Sequence, residues 1–263
     1  MTIGPQTVDL NWDETGVVPP VVLPDTDFVF RRMAEATVSA VQARPGRLVL
    51  DVGCGWALDA ISLARKGSKV VGIEASTVML QKARDWIRGS GVDVALVQAT
   101  AEHLPFRAQA FDRVMCKGAL DHFIDPLRSV GEMTRVLKPK GKAIIAVANF
   151  ESLGCRISRS VYRWRRRFTG RVSSERQSWQ IPLDHTIRFD YQVLRQLLVQ
   201  HMKVEKISGV SLLWGMPWWG QLLARMPKRT ANTTLTVLDR LARWLPRESD
   251  VLISLGRPRS RRL

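Results

Sequence analysis

Short apolar runs alternate with stretches of helical periodicity over the first part of the chain. The runs end near residues 52, 74, 98, 116 and 148, and the segments between them repeat apolar residues every three or four positions. This pattern predicts strands at 47–52, 69–74, 92–98, 111–116 and 142–148, and helices at 57–66, 77–89 and 126–137. Such alternation is typical of a doubly wound α/β sheet that binds ligands at the carboxyl ends of its strands.

The two ends of the chain extend this pattern. Residues 1–26 hold four prolines and little periodicity, which predicts an N-terminal arm. Asp27 is expected to cap a helix that starts at the next residue. Near the other end, a helix at 191–201 and strands at 203–209 and 251–255 bring the predicted strands to seven.

Two segments interrupt the alternation. Residues 150–185 are rich in Arg and Ser and include Arg163, Arg165, Arg166, Arg167 and Arg171, which indicates a basic cap inserted after the fifth strand. Residues 211–247 are apolar and Trp-rich, where a hairpin connection would be shorter. We therefore predict an arm at 1–26 and one domain at 27–263 that carries both insertions.

A tight glycine-containing turn joins the first strand to its helix in LVLDVGCGWALDA, residues 48–60. Gly53 and Gly55 lack side chains and can adopt positive φ, so a ligand can approach the main chain where the helix presents unpaired N–H groups. Glu74, at the end of the second strand, can accept hydrogen bonds from both hydroxyls of an adenosine ribose. Leu58 stands where a dinucleotide fold has its third glycine, which disfavours NAD.

Four ordered segments between residues 51 and 147 carry further motifs: DVGCG at 51–55, ATAEHLPF at 99–106, FDRVMCKGALDHFIDP at 111–126 and VLKPKGKAIIAV at 136–147. Together they resemble the class I S-adenosylmethionine-dependent methyltransferases. The resemblance implies a Rossmann-like sheet, mostly parallel with its last strand antiparallel, and S-adenosylmethionine as cofactor. It implies that the cofactor is held by Asp51, Gly53, Cys54, Gly55, Glu74, Ala75, Thr100, Ala101, Glu102 and Lys117.

Two positions depart from the family pattern. Ala57 occupies the third small position of the glycine motif, where one additional methyl group should be tolerated. Thr100 stands where many relatives carry an acid that faces the adenine amino group. A hydroxyl accepts that hydrogen bond more weakly than a carboxylate. Both departures bear on the affinity for S-adenosylmethionine and not on the identity of the cofactor.

Methyl transfer from a sulfonium requires alignment of the acceptor and exclusion of water. A general base is needed only when the acceptor must lose a proton. The loop after the fourth strand borders the sulfonium in the family and carries His122, the preferred base candidate. His185, just before the helix that follows the cap, is the second catalytic candidate. Either histidine could instead serve packing alone, in which case the reaction uses no histidine base.

A metal site is not expected. The histidines show none of the close spacings with acids or cysteines that build zinc or iron centres; they are His103, His122, His185 and His201. The three cysteines cannot all pair, which favours a reducing compartment. With no leader-like start and no apolar run of about 20 residues, we expect a cytoplasmic protein.

Charge and tryptophan are concentrated in the second half of the chain. The net charge is +16, and residues 151–263 hold 22 Lys and Arg against 8 Asp and Glu, whereas residues 1–150 hold 18 against 16. Six of the nine tryptophans also follow residue 150. Residues 1–150, which hold the cofactor motifs and which we call the cofactor half, are therefore ordinary in composition. Residues 151–263 are basic and rich in tryptophan.

The apolar insertion gives the best indication of the acceptor. Asn232 is expected to cap a helix in which Arg240 and Arg243 lie beside an apolar stripe of Leu235, Leu238, Leu241, Trp244 and Leu245. Such a helix suits a lipophilic small-molecule substrate, or peripheral contact with an anionic membrane at its inner face. The insertion could equally be a lid that covers the sheet edge and the pocket.

Two further hypotheses remain open at the level of sequence. An RNA methyltransferase could stack a base on Trp164 and bind phosphates with the neighbouring arginines. However, Cys116 to Ala119 lacks the Asn/Asp-Pro-Pro-aromatic motif with which amino-group methylases of bases hold their target. A protein that binds S-adenosylmethionine without catalysis is the other alternative.

Overall fold

The computed structural model describes residues 7–13, 22–169, 179, 180, 182 and 184–259. Most of the predicted N-terminal arm lies outside the described residues. The same holds for the cap residues 170–178, 181 and 183, and for the basic tail beyond residue 259.

Seven strands form one sheet in the order β3-β2-β1-β4-β5-β7-β6. Neighbouring strands are parallel from β3 to β5, and β7 runs antiparallel to both β5 and β6. The predicted doubly wound, mostly parallel sheet with an antiparallel last strand is confirmed. The strands are β1 Leu48–Val52, β2 Lys69–Glu74, β3 Ala95–Gln98, β4 Phe111–Lys117, β5 Leu137–Ala148, β6 Met202–Val210 and β7 Val251–Pro258.

Helices cover both faces of this sheet. Successive residues of a strand point to opposite faces, so Val49 and Ile144 enter one apolar cluster while Leu50 and Ile145 enter the other. Because both faces are covered, the strands read as nearly continuous apolar runs. The helices are α1 Pro24–Val41, α2 Leu58–Arg65, α3 Thr77–Ser90, α4 Pro126–Val136, α5 Leu153–Thr169, α6 Tyr191–His201, α7 Trp219–Arg225 and α8 Lys228–Ala242.

Two predicted helix starts are wrong. Asp27 does not cap α1, which begins at Pro24; a proline at the first helical position has a preset φ and loses no hydrogen bond there. Asn232 does not cap α8, which begins four residues earlier at Lys228. Trp244 and Leu245, predicted on this helix, follow its end in a turn.

The apolar insertion folds as a pair of helices on the edge of the domain. Leu223 of α7 and Leu235 of α8 pack with Phe28 of α1 in a third apolar cluster. Asp239 of α8 is 2% exposed and fastens the insertion to its surroundings. Its carboxylate accepts hydrogen bonds from Arg32 at 3.0 Å and from the Ser211 main-chain N–H at 3.3 Å.

Replacing Asp239 should therefore loosen this attachment. Asp239→Ala is expected to lower the free energy of unfolding by about 3 kcal/mol, because it leaves the buried Ser211 N–H without an acceptor and removes the carboxylate that pairs with Arg32 on the inner side of α8. Urea unfolding followed by circular dichroism measures the change. Glu35→Ala, which removes an exposed partner of the same Arg32, is the matched control and should cost less than about 1 kcal/mol. Equal losses for the two variants would contradict the anchoring role.

Candidate active site

The turn after β1 presents bare main chain at the carboxyl end of the sheet. Gly53 and Gly55 have φ of +71° and +53°, in the left-handed region that favours glycine. A Cβ on Gly53 would lie 2.5 Å from Cβ of Ala119 in the loop after β4, so the two loops can meet only where a glycine stands. Ala57 also adopts a positive φ, 60°, immediately before α2.

The Glu74 carboxylate ties the ends of β1 and β2 together. Its Oε2 accepts the Gly55 N–H at 3.1 Å, and its Oε1 accepts the N–H groups of Ala75 and Ser76 at 2.9 and 3.0 Å. Three of about four lone-pair positions are thus occupied by main-chain donors. The carboxylate is thus held at the end of β2. A bound ribose would donate its hydroxyl hydrogens to the same carboxylate oxygens that accept the main-chain N–H groups.

Asp51 and Lys117 lie at the ends of the adjacent strands β1 and β4. Burial, reinforced by the charge of Asp59, raises the pKa of Asp51 well above its usual range. A cationic ligand group beside it would favour the carboxylate form. Lys117 pairs with Asp59 at 2.7 Å, which turns the ammonium toward the start of α2.

The remaining predicted cofactor residues lie around this turn and after β3. Cys54 packs against Gly72 of β2. A Cβ added to Gly72 would lie only 2.8 Å from the Cys54 Sγ, so the thiol fills the space that a side chain would need. Thr100 and the buried Ala101 follow β3. The Glu102 carboxylate is nearly buried and accepts the Asp125 N–H at 3.2 Å, so it fastens the start of α4. That contact gives Glu102 a structural role beside the predicted one.

The two catalytic candidates meet in space, although 62 residues separate them in the sequence. The ring centroids of His122 and His185 are 4.5 Å apart. Each ring faces a carboxylate through Nδ1: His122 faces Asp184 at 3.2 Å, and His185 faces Asp121 at 3.2 Å. The pairs are crossed, because each histidine uses the acid that neighbours the other histidine. The geometry leaves Nε2 of His122 as the nitrogen that can exchange a proton with a ligand.

Thr186 holds the two segments together. It is 1% exposed, and its N–H donates to the Asp121 carbonyl at 2.7 Å. Its hydroxyl lies 3.0 Å from the Asp121 carbonyl and 2.6 Å from the Phe123 carbonyl. A buried threonine thereby fixes the separation of both histidines.

Sequence reasoning missed Trp12 and Asp184. The Trp12 indole N–H donates to Asp184 at 3.1 Å, and the indole lies 5.2 Å from the His122 ring, measured between centroids. Its carbonyl accepts the Ser76 hydroxyl at 2.6 Å, two residues beyond Glu74. The described segment 7–13 therefore joins the cofactor side of the site to the histidines. A lone Trp in a segment without periodicity gives no signal of such a contact.

The crossed pairs set the protonation behaviour of His122. Burial alone would lower its pKa, but the close contact with the Asp184 carboxylate and the charge of Asp121 outweigh that penalty and raise the pKa above its ordinary value of 6.5. The reciprocal interaction with His122 lowers the pKa of Asp184. Asp184 therefore stays ionised and supports a proton on His122.

Asp121 and the two histidines also form a group that could hold a metal ion, although the sequence analysis expects no metal site. One donor atom from each of Asp121, His122 and His185 lies within 4.8 Å of the others, a grouping that could also hold a cation. Spacing along the chain could not reveal it, because His185 comes from a distant segment. Both Nδ1 atoms already face carboxylates, so we interpret the cluster as two histidine–carboxylate pairs, and the absence of a metal stays a prediction.

Comparison with known proteins gives matches to methyltransferases over part of the chain. A family described as "Methyltransferase domain" matches residues 50–145. The methyltransferase GfsG of Streptomyces halstedii is 39% identical over 118 residues, which cover 44% of this chain and 42% of the relative. The ubiquinone biosynthesis O-methyltransferase of Alkalilimnicola ehrlichii is 41% identical over 105 residues, 40% of this chain and 42% of the relative. The chain thus spans less than half the length of the curated relatives it matches.

Solved structures share the fold over most of the chain. The PH0226 protein of Pyrococcus horikoshii superposes with a TM-score of 0.60 at 18% identity, covering 95% of this chain and 100% of that one. The cyclase SpnF superposes with a TM-score of 0.56 at 20% identity, covering 86% and 80%. These likenesses show a Rossmann-like sheet with helices on both faces.

The motifs at the carboxyl ends of β1 to β5 and the match over residues 50–145 support a methyltransferase domain similar to the class I S-adenosylmethionine-dependent methyltransferases. S-adenosylmethionine is the cofactor of that class. The residues present fit it, because the glycine turn leaves the main chain bare beside α2 and Glu74 is held at the end of β2.

The ribose assignment of Glu74 can be tested by cofactor affinity. Glu74→Ala should weaken S-adenosylmethionine binding at least about tenfold, since it removes charge-assisted hydrogen bonds to the ribose and frees the glycine turn. Thr100→Asp should strengthen binding, because a carboxylate accepts from the adenine amino group better than a hydroxyl. Calorimetric titration measures both, with Asp85→Ala on exposed α3 as control. Unchanged affinity in Glu74→Ala would refute the assignment.

Proposed function

We propose that the protein transfers a methyl group from S-adenosylmethionine to a hydroxyl group of a small, lipophilic acceptor. The observation that carries the proposal is the crossed pair of histidines and carboxylates, with Trp12 linking it to the residues after Glu74. A hydroxyl acceptor must lose its proton as the methyl group arrives, and His122 is suited to take it. S-adenosylmethionine supplies an activated methyl group on its sulfonium.

The chain's own residues divide the remaining work. Asp184 orients the His122 ring through Nδ1 and stabilises the imidazolium that forms when Nε2 takes the acceptor proton. His185, paired with Asp121, packs edge-on against His122 and against Phe150, whose ring centroid is 5.7 Å away. Trp12 lies against His122 and helps to exclude water from the site. Electrostatic interactions between the histidines and the carboxylates are stronger where water is excluded.

Two observations support a lipophilic acceptor. The histidines have aromatic neighbours, since Trp12 lies against His122 and Phe150 lies against His185. In addition, two relatives that match 40% of this chain are named ubiquinone biosynthesis O-methyltransferases. Their names describe those proteins, so the acceptor is argued first from the aromatic neighbours of the histidines.

Two alternatives are retained as outcomes of the test. The end of α5 carries Trp164 and Arg163, Arg165, Arg166 and Arg167, all exposed, which keeps an RNA acceptor open. A cofactor-binding protein without methyl transfer is the other alternative, because the glycine turn and Glu74 concern cofactor binding and not turnover.

The experiment uses methyl-tritiated S-adenosylmethionine, the purified protein and a cell extract, followed by separation into organic solvent, nucleic acid and protein. Label in the organic phase that requires the added protein supports the proposal. Label in nucleic acid would replace it with RNA methylation, and bound cofactor without transferred label would favour the non-catalytic alternative.

The histidines are expected to affect turnover and not cofactor binding. His122→Ala should lower kcat by about a hundredfold, the usual contribution of a positioned general base, and His185→Ala should lower it less. The affinity for S-adenosylmethionine should be unchanged in both variants. His103→Ala, on the segment after β3, is the control and should retain full turnover. Full activity in His122→Ala would show that the reaction uses no histidine base.

A separate measurement tests the prediction that no metal is needed: full activity after dialysis against EDTA would support it, and loss of activity would contradict it.

The Asp184–His122 pair also predicts a pH dependence. The base must be neutral, so kcat/KM should fall as the pH drops below the raised pKa of His122. Asp184→Asn removes the charge that favours the imidazolium, which should lower that pKa and move the acidic limb of the profile to lower pH. The maximal rate should fall as well, because a less basic imidazole is a weaker proton acceptor. An acidic limb at the same pH in both proteins would contradict the assignment.

A further inference from the structure

The solvent side of α8 carries large apolar residues in its second half, beside exposed arginines, where a helix on a soluble domain usually shows polar residues alone. Leu235 faces inward and is 1% exposed, whereas Val237 and Leu241, one turn apart, are 47% and 48% exposed. Trp244 and Leu245, in the turn that follows, are 85% and 48% exposed. We refer to Val237, Leu241, Trp244 and Leu245 as the outer α8 surface.

The neighbouring helix of the insertion shows the same feature. Trp218 and Leu222, at the start of α7, are 61% and 47% exposed, while Leu223 beside them is buried against α8. Scattered exposed apolar residues need no explanation, but a run of them on one insertion indicates an interaction surface.

This apolar surface is surrounded by positive charge. The two helices and their connections carry Arg225, Lys228, Arg229, Arg240 and Arg243, all exposed. The only acid between residues 211 and 247 is Asp239, which is buried beneath the helix and already paired with Arg32 and Arg243. Arg229 and Arg240 form no ion pair with any carboxylate in the described part of the chain. The surface therefore complements an anionic partner.

The insertion cannot turn this surface inward to act as its own lid. Asp239 and Leu235 fasten the opposite side of α8 to α1 and to the end of β6, so the outer α8 surface stays directed away from the domain. Trp164 and Phe168 on α5 are also exposed, but they contact each other at 5.1 Å, and α5 bears Tyr162 against Trp179 of the cap.

We propose that the outer α8 surface, with Trp218 and Leu222 of α7, docks on the surface of a bilayer that carries anionic headgroups. Tryptophan and leucine enter the boundary between headgroups and acyl chains, while arginines beside them bind the lipid phosphates. Contact of this kind is peripheral; among the described residues, no helix is long and apolar enough to cross a membrane.

Sedimentation of the full chain with vesicles tests this proposal. The protein should pellet with vesicles of phosphatidylcholine and phosphatidylglycerol, and much less with phosphatidylcholine alone or at high salt. Leu241→Gln/Trp244→Gln should lower the partition coefficient at least about tenfold, and Arg229→Glu/Arg240→Glu by a similar factor, since each basic residue near an anionic surface is worth about fivefold. Unchanged affinity for S-adenosylmethionine shows that each variant is folded.

Two matched controls make the result specific. Lys66→Glu/Arg84→Glu makes the same charge change just after α2 and on α3, and should leave vesicle binding nearly unchanged. Trp164→Gln/Phe168→Gln removes the exposed aromatic pair of α5 and should also retain binding. Loss of binding in the α5 variant but not in the α8 variant would overturn the proposal. So would equal binding to both kinds of vesicle, or binding to an RNA oligonucleotide in place of vesicles.

Discussion

The acceptor half of the site depends on the hydrogen bonds that the buried Thr186 makes to the loop after β4. Its N–H and hydroxyl both reach the carbonyls of that loop. They thereby hold a segment near residue 185 against a segment near residue 121. Without this contact the two histidines would belong to separate loops, and the crossed pairing with Asp121 and Asp184 could not form. A structural threonine thus creates the acid–base unit that we assign to catalysis.

The donor half is organised by a different constraint, the close approach of the glycine turn to the loop after β4. Gly53 permits the approach, and the Glu74 carboxylate fixes the turn through the Gly55 N–H. Ala57 adopts left-handed backbone at a cost of about 1–2 kcal/mol, which the burial of its methyl group partly offsets. Trp12 connects the two halves, because its carbonyl and its indole contact Ser76 and Asp184. Cofactor and acceptor positions are therefore mechanically linked.

Most of the fold could be predicted from the sequence, because apolar periodicity and glycine turns are local signals. The strand β2 has the predicted bounds, and Glu74 lies at its end as the motif requires. The helix starts at Pro24 and Lys228 were missed because a proline start and tertiary packing outweighed side-chain capping at Asp27 and Asn232. Capping contributes only about 1 kcal/mol, less than the burial of one large apolar side chain.

The sequence singles out candidate residues for the site but not how they pair. His122 and His185 could be singled out, whereas their partners follow from a long-range contact that no spacing encodes. Trp12 and Asp184 lie in segments without periodicity. Which carboxylate each histidine contacts depends on the path of the chain near Thr186. The outer α8 surface that we propose to bind membranes was equally unpredictable, because an apolar stripe along a helix usually marks a buried face and gives no sign that Trp244 is exposed.

The central claim is that His122 and His185 form one coupled acid–base unit with Asp121 and Asp184. Nuclear magnetic resonance titration of the histidine ring protons tests it directly, with His122 and His185 assigned by their alanine variants. We predict that His122 titrates above 6.5 and that its midpoint moves in His185→Ala and falls in Asp184→Asn. A His122 midpoint at or below the ordinary value, unaffected by either substitution, would contradict the account.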